Sequence, residues 1–324
     1  MSKEIKIIGL LTSGGDAPGM NAAIRAVTRA ALAKGMRVMG IRRGFNGLIH
    51  GDIVELDLRS VSDIIHRGGT LLYTARCPEF KTEEGMKKAV DICKQFGIDG
   101  VVVIGGDGSF RGAADLSARG VISVGIPGTI DNDIAASEYT IGFDTALDTI
   151  MKMVDRIRDT SQSHDRCSVV EVMGRGTGWL ALNSGIAVGA TLILVPEIAF
   201  DFEKDIIYRM KKTLQTGKKH FIIIAAEGIG NAEEFAERIE AETGIQSRAS
   251  VLGYVQRGGS PTVKDRIIAS QMGHYAVELL FRGIGNRVVV MKDNKIIDYD
   301  IFEAAKMIKP FDLELYNIAN EINI

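Results

Sequence analysis

Three segments of this sequence combine glycines with the residue types that handle phosphate. The first is Thr12-Ser13-Gly14-Gly15-Asp16-Ala17-Pro18-Gly19-Met20-Asn21, which follows a short apolar run. Glycines let backbone N–H groups approach an anion, and a helix starting at the end of such a turn adds positive potential. Gly14 and Gly19 have the spacing of the first half of a P-loop. Met20 and Asn21 stand where Lys and Ser/Thr belong, so the segment is not one. It reads as a phosphate-binding turn or as a plain strand-to-helix connection. The second segment is Val103-Ile104-Gly105-Gly106-Asp107-Gly108-Ser109. Arg111 occupies the last glycine position of a GxGxxG pattern, so the dinucleotide fingerprint is not met. An acid in such a turn is unfavourable beside polyphosphate unless a divalent cation intervenes. Mg2+ suits that place, because it takes one or two carboxylates plus phosphate oxygens; the other reading of Asp107 is a helix cap. The third segment is Ile126-Pro127-Gly128-Thr129-Ile130-Asp131-Asn132-Asp133. Its two carboxylates, two residues apart, suit a base and its support, or a polar turn.

Cations gather in the second half: His164-Asp165-Arg166, Gly174-Arg175-Gly176, Arg248 and Arg257-Gly258-Gly259-Ser260. The planar fork of arginine suits phosphate. Taken singly, each is more simply a solvated surface charge. Arg257, set among glycines, is less easily dismissed that way.

The elements that must position these residues alternate. Strand-like apolar runs are predicted at 5–11, 37–41, 100–104, 121–126, 168–172, 191–195, 221–226, 249–253 and 287–291. Most are apolar throughout, as strands covered on both faces require. Helical periodicity falls between them, for example at 144–160 and 262–281. The pattern predicts an α/β protein of right-handed βαβ units with mainly parallel sheets. In such sheets ligands bind beyond the carboxyl ends of the strands, where all three glycine segments lie. Nine strands in 324 residues suggest two α/β lobes with a cleft between them.

Lys plus Arg is 39 against 41 Asp plus Glu, a net charge of −2, which excludes a broadly basic nucleic-acid coat and a disordered acidic chain. Cys77, Cys93 and Cys167 form no CxxC pair, and no histidines are spaced for zinc. No apolar stretch approaches the roughly 20 residues of a membrane span. A soluble, cytoplasmic protein is expected.

The motifs TSGGDAPGMNAAIR, RGGT followed by ARCPEF, VVIGGDGS, PGTIDND, YTIGFDTA, EVMGR and RASVLGYVQRGGSP occur in that order. Together they resemble the bacterial ATP-dependent branch of the phosphofructokinase family, over about residues 5 to 310. GGDG alone also occurs in NAD and lipid kinases; the ordered set is far more specific. The resemblance implies two doubly wound, Rossmann-like α/β/α lobes. Residues 1–141 plus 255–305 would form a larger nucleotide-binding lobe, and 142–254 plus 306–324 a smaller sugar-phosphate lobe. It implies transfer of the γ-phosphoryl of ATP to the 1-hydroxyl of fructose 6-phosphate, a step of glycolysis, in a homotetramer. Gly14, Arg76, Cys77, Gly106, Asp107, Gly108 and Ser109 would hold the nucleotide, with Asp107 on Mg2+. Asp131 would act as the base, beside Thr129 and Asp133, and Arg175 would stabilise the transferring charge. Thr129, Ile130, Met173, Gly174, Glu227, Tyr254, Val255, Gln256 and Arg257 would hold the sugar. Arg166 and Arg248 would reach the 6-phosphate from a neighbouring subunit. Arg25, Arg29, Arg158, Gly189, Lys218 and His220 match an effector site that takes ADP or phosphoenolpyruvate in many members.

Glycine at 108 and 128 argues for ATP, because the pyrophosphate-dependent branch carries Asp and Lys there. Tyr254 stands where better-known members have His. Sugar-phosphate binding is therefore expected to survive with a weakened pH dependence; a Tyr254→His variant with an unchanged Michaelis constant across pH would count against this. At the effector site Thr191 replaces a Glu, and Leu58 and Thr216 replace basic residues. The expectation is a site that binds anions but responds weakly to Mg-ADP, and full ADP activation would sink it. Trp179 stands where Asp is common, without a functional account from the sequence. The rivals are a catalytically silent regulatory paralogue, a pyrophosphate-dependent enzyme, another GGDG kinase and a plain α/β ligand-binding protein.

Overall fold

A computed structural model describes residues 5–323. Among the described residues the strands are β1 (Ile7–Thr12), β2 (Arg37–Ile41), β3 (Ile53–Leu56), β4 (Gly100–Gly105), β5 (Ile122–Pro127), β6 (Cys167–Val172), β7 (Leu192–Leu194), β8 (Phe221–Ala226), β9 (Ser247–Val251), β10 (Arg287–Lys292) and β11 (Lys295–Asp300). The chain divides into two compact units. One takes in the chain up to Ile130 together with Ile134–Thr145 and Arg257–Lys309; the other takes in Asp131–Asp133, Ala146–Gln256 and the chain from Pro310.

The first unit holds a seven-stranded sheet in the order β11-β10-β5-β4-β1-β2-β3. Its inner pairs are parallel, with Leu11 opposite Val103 and Val103 opposite Gly125. The two edge strands, β3 and β11, run antiparallel to their neighbours. Neither edge strand is predicted from the sequence. Ile53–Leu56 is four residues long, and half of Lys295–Asp300 is polar, with no residue of that strand fully buried. β4 is buried along its whole length, and Val101 and Val103 join Leu11, Phe45, Phe110 and Leu116 in one core cluster. Each such Val, Leu or Ile contributes roughly 1.5–3 kcal/mol of burial. The helices Met20–Ala33 and Val263–Phe281 cross closely: a Cβ on Gly273 would stand 2.7 Å from that of Ala26.

The second unit holds a four-stranded, all-parallel sheet in the order β7-β8-β6-β9. Cys167, Val169, Phe221, Ile223, Ile206 and Met210 form its core. β9 begins two residues earlier than its predicted run. Gly253, at φ 55°, then turns the chain into the short helix Gly253–Arg257. The C-terminal helix Leu313–Ile322 belongs to this unit, and there Trp179 finds a role. Its ring lies 6.0 Å from that of Phe311, which in turn meets Tyr316.

Four short segments fall on the other side of the division from the one expected: 255–256 go with the second unit and 306–309 with the first, and two others lie near the glycine loops. Asp131–Asp133 go with the second unit, where Asp133 lies 3.9 Å from Arg175. Gly142–Thr145 go with the first, where the Asp265 carboxylate accepts the N–H of Gly142 and of Thr145. Among the described residues no helix is long and apolar enough to cross a membrane.

Candidate active site

In the first sheet the chain runs outward from β1 to β2 and β3, then returns on the other side of β1 as β4 and β5. β1 and β4 are therefore the strands at which the winding reverses, and the loops after such strands splay apart to admit a ligand. Those loops are the first two glycine segments. They touch through backbone: Ser13 N–H donates to the Ile104 carbonyl at 2.9 Å. A Cβ on Gly105 would fall 2.5 Å from the Ser13 carbonyl oxygen and 2.4 Å from the Ser109 hydroxyl. Gly14 has φ +85° and faces that same hydroxyl. Gly15 is required by a side chain: a Cβ there would fall 1.4 Å from an Nη of Arg257, whose guanidinium covers the turn. The Arg257 Nε is buried and donates to no protein acceptor. Arg257, expected to hold the sugar, thus lies against the glycine loop of the first unit.

Asn21, at the position where a P-loop would place its Mg2+-binding hydroxyl, has a different task. Its amide donates to the Arg67 and Gly68 carbonyls, each at 3.1 Å, and accepts the Leu71 N–H at 2.7 Å. Thr12 bonds Thr70 and the Tyr73 carbonyl, and the Thr74 hydroxyl donates to the Gly14 carbonyl at 2.7 Å. The loop that ends in exposed Arg76 is thereby tied to the first glycine turn. Cys77 packs its side chain against the core cluster of the first unit. Asp107 opens the helix Asp107–Ala118 and pairs with Arg111 at 2.9 Å, while a Cβ on Gly108 would meet nothing within 4 Å. One accessible carboxylate beside open space and a helix N-terminus fits a Mg2+ that arrives with phosphate oxygens. Among the described residues no group of three or more His, Cys, Asp or Glu stands ready to hold a metal alone.

The third glycine segment follows β5. Gly128 N–H donates to the Gly105 carbonyl at 3.0 Å, and the Thr140 hydroxyl donates to the Thr129 carbonyl at 2.6 Å. Thr129 lies beside the second loop, since a Cβ on Gly106 would be 3.5 Å from its own Cβ. Ile130 is 1% exposed, so only its backbone is left for a ligand.

In the second unit the carboxyl ends of β6, β8 and β9 converge. Arg175 N–H donates to the Glu227 carboxylate at 2.5 Å, and Met173 N–H donates to the Gln256 amide oxygen at 3.1 Å. Gln256 is fully buried and donates in turn to the Gly253 carbonyl, so its side chain braces the unit and leaves only backbone for a ligand. Gly174 has φ 145° and Arg175 φ 59°. A non-glycine residue held in that region is strained, and such strain gathers where a side chain must be aimed. Asn132, itself buried, is held likewise at φ 50°, between buried Asp131 and half-buried Asp133. Tyr254 and Val255 stand exposed.

Arg166 and Arg248 are elsewhere. Arg166 precedes β6 and donates from Nε to Gln246 at 2.6 Å, while Arg248 sits opposite Ser168 near the start of β9 and pairs with Glu240 at 3.1 Å. Both are at the amino ends of strands whose carboxyl ends carry Met173 and Gly253. The six residues of β6 separate Arg166 from Met173, a span of about 23 Å. Of the cations that gather in the second half of the sequence, Arg166 and Arg248 thus lie at one end of this sheet and Arg175 at the other, while Arg257 belongs to the first unit.

The effector candidates also fall in two sets. Arg25 and Arg29 lie one turn apart on the helix Met20–Ala33 of the first unit. Arg158, Gly189, Lys218 and His220 lie in the second, where an Arg158 Nη donates to the Val188 carbonyl. Burial, with Arg158 beside it, lowers the Lys218 pKa; burial, with Lys218 and Arg158, lowers that of His220. Such mutual repulsion is what an anion would relieve. Thr191 is buried, and its N–H donates to the Ile222 carbonyl at 2.7 Å.

Two doubly wound α/β units, one with glycine loops at the reversal of its sheet, define a protein of the phosphate-binding α/β class. Comparison with known proteins narrows the class. The profile of the family described as Phosphofructokinase matches residues 7–280. An ATP-dependent 6-phosphofructokinase of Clostridium botulinum is 57% identical over 318 residues, covering 97% of this chain and 98% of that one. The protein of the same description from Clostridium tetani is 58% identical over 320 residues, covering 98% and 99%. Among solved structures, the phosphofructokinase of Saccharomyces cerevisiae superposes with a TM-score of 0.90 at 33% identity, over 97% of this chain and 50% of that one. The chain thus spans about half the length of the yeast protein. A pyrophosphate-dependent phosphofructokinase from Marinobacter aquaeolei shares the fold, with a TM-score of 0.85 at 22% identity over 96% of this chain and 86% of that one. This chain belongs to the phosphofructokinase family.

Proposed function

We propose that this chain is an ATP-dependent 6-phosphofructokinase, which moves the γ-phosphoryl of ATP to the 1-hydroxyl of fructose 6-phosphate and releases fructose 1,6-bisphosphate and ADP. The observation that carries the reading is near-full-length identity of 57% to relatives of that description, joined to glycine loops at the point where the first sheet reverses. Phosphoryl transfer needs positioning and charge neutralisation more than covalent chemistry. The backbone N–H groups around Gly14 and Gly106 to Ser109, with Arg76, would cradle the phosphates. Asp107 would hold a Mg2+ that arrives with the nucleotide, and the ion would supply charge neutralisation there. Asp131 orients the attacking hydroxyl and accepts its proton as the bond to phosphorus forms and the bond from that phosphorus to the departing ADP oxygen breaks. Arg175 stabilises charge on the transferring group.

The larger unit, to which Arg257 belongs, would serve the nucleotide, and the smaller one the sugar phosphate, through Met173, Gly174, Glu227 and the turn from Tyr254 to Gln256. Arg166 and Arg248, at the far end of their sheet, would bind the 6-phosphate of a neighbouring chain's substrate. That requires an oligomer, proposed as a homotetramer. An anionic effector, ADP or phosphoenolpyruvate, would bind at Arg25, Arg29, Arg158, Gly189, Lys218 and His220, with a weak Mg-ADP response because Thr191 offers no carboxylate. A cytoplasmic location belongs to the same reading.

The test is formation of fructose 1,6-bisphosphate from fructose 6-phosphate and Mg2+, with ATP or pyrophosphate in parallel. Activity with ATP and none with pyrophosphate supports the reading. Activity with pyrophosphate alone would overturn the inference from Gly108 and Gly128. Silence with both, with nucleotide binding intact, would favour a regulatory paralogue.

A further inference from the structure

Asp265 is a carboxylate that the proposed chemistry does not use, and it is fully buried in the first unit. Burial pushes its pKa up, and hydrogen bonds to its oxygens pull against that rise. One oxygen accepts the Tyr139 hydroxyl and the Gly142 N–H, each at 2.7 Å; the other accepts the Thr145 N–H at 2.9 Å and the Thr145 hydroxyl at 2.5 Å. Burial and the Asp265 charge in turn raise the pKa of Tyr139, which keeps its proton and donates it. Isolated ionised carboxylates are costly to bury, and four converging donors offset that cost.

What these four bonds hold is the segment from Tyr139 to Thr145, and that segment holds the phosphate loops. Ile141 N–H donates to the Pro127 carbonyl at 2.9 Å, and the Thr140 hydroxyl donates to the Thr129 carbonyl at 2.6 Å. Gly142, at φ +106°, backs onto the first glycine loop: a Cβ there would stand 2.7 Å from that of Ala17, 3.2 Å from Pro18 and 3.3 Å from Ile130. A Cβ on Gly19 would reach Ile141 at 2.6 Å and the Asp265 Cβ at 3.5 Å. Asp265 is fixed in its turn by Thr262, whose hydroxyl accepts the Asp265 N–H at 3.3 Å and donates to Asp144 at 2.7 Å. One carboxylate thus registers the end of the first glycine loop against the backbone of Pro127 to Ile130.

We propose that Asp265 is a positioning residue for phosphoryl transfer, acting through Tyr139–Thr145 to set the placement of Thr129 against the first glycine loop. The inference rests on the phosphofructokinase reading above. Asp265→Asn is the sharpest probe, because it preserves shape. Either orientation of the new amide sets its NH2 against a backbone N–H that cannot turn away, that of Gly142 or of Thr145. The turnover number should fall about thirtyfold, in keeping with the cost of small misplacements at a reacting centre, while the Michaelis constants for ATP and fructose 6-phosphate change less than about threefold. Asp265→Glu should not rescue it, since the longer side chain cannot meet all four donors. Thr140→Val leaves the buried charge in place and cuts only the tie to Thr129. It should lower turnover in the same sense, and it serves if Asp265→Asn fails to fold. Amide hydrogen exchange without ligand reads the positioning independently of activity: exchange at Gly128 and Ile141 should quicken about tenfold in both variants, with the β1 and β4 amides unchanged. Normal turnover in a folded Asp265→Asn or in Thr140→Val would overturn the proposal, as would unaltered exchange at Gly128 and Ile141. If the unmodified protein lacks the kinase activity, the function reading fails, and the exchange result alone still decides whether Asp265 holds the loops.

Discussion

The two ends of the second sheet hold their arginines in different ways. At the carboxyl end Arg175 is fixed through its backbone, with its N–H on Glu227 and its φ in the left-handed region. Its guanidinium is largely exposed and lies 3.9 Å from Asp133. At the amino end Arg166 and Arg248 lie in ordinary strand surroundings and rest their guanidinium groups on Gln246 and Glu240. A side chain aimed by its backbone is pre-organised for a ligand on its own chain. A side chain resting on an exposed surface partner can exchange that partner for a stronger anion, including one held by another chain.

That contrast can be broken, most severely at the carboxyl end. Asp131→Ala should lower turnover by about a thousandfold, toward the upper range for a general base, with a melting temperature close to the parent. Arg166→Ala should instead raise the Michaelis constant for fructose 6-phosphate, by roughly ten- to a hundredfold for the loss of charged hydrogen bonds. The two lesions distinguish the ends directly. At low fructose 6-phosphate, refolded mixtures of Asp131→Ala and Arg166→Ala chains should be more active than either variant alone, because an intact Asp131 from one chain can then pair with an intact Arg166 from another. No recovery, in mixtures that do form hybrid oligomers, would mean that Arg166 serves its own chain.

Gly15→Ala should cost about tenfold in kcat/KM, because the new Cβ displaces the Arg257 guanidinium; an unchanged value would remove Arg257 from the phosphate loop. Gly108→Asp is a gentler probe, since open space surrounds that position. The variant should fold normally and lose ATP affinity by several-fold through charge repulsion alone.

The smallest effect concerns His220, whose pKa is lowered by burial and by the neighbouring Lys218 and Arg158. Without an anion, the unfolded chain takes up this proton before the folded one, so stability present at neutral pH is lost as the pH falls below the ordinary histidine value of about 6.5. A bound anion raises the His220 pKa and should therefore bind more tightly with falling pH, about tenfold for each unit of that rise. Calorimetric titration of phosphoenolpyruvate at two pH values checks this, and His220→Gln should abolish the difference.

The second sheet also marks how far local reading reaches. Continuous apolar runs such as Phe221–Ala226 announce fully buried strands, and all nine predicted runs match a strand to within two residues at each end. The edge strands β3 and β11 escape because a four-residue run is too short to show a period and a half-polar hexapeptide looks like a loop. Trp179 has no local rationale because its partner, Phe311, lies 132 positions away in the chain. Gln256 looks like a ligand group in QRGGS, yet both ends of its amide are spent on Met173 and Gly253.

By itself the sequence determined the alternation of strands and helices and the glycine turns that end strands, because periodicity and glycine content act over a few residues. It also determined the family, since the ordered motifs are a linear property. Only the tertiary structure decided that Arg257 covers Gly15, that Asn21 ties down the loop to Arg76, that Arg166 and Arg175 face opposite ends of one sheet, and that Asp265 gathers four donors from a segment some 120 residues earlier. Each of these depends on which strands become neighbours. Strand order is set by burial over the whole chain, not by any stretch of residues short enough to read in isolation.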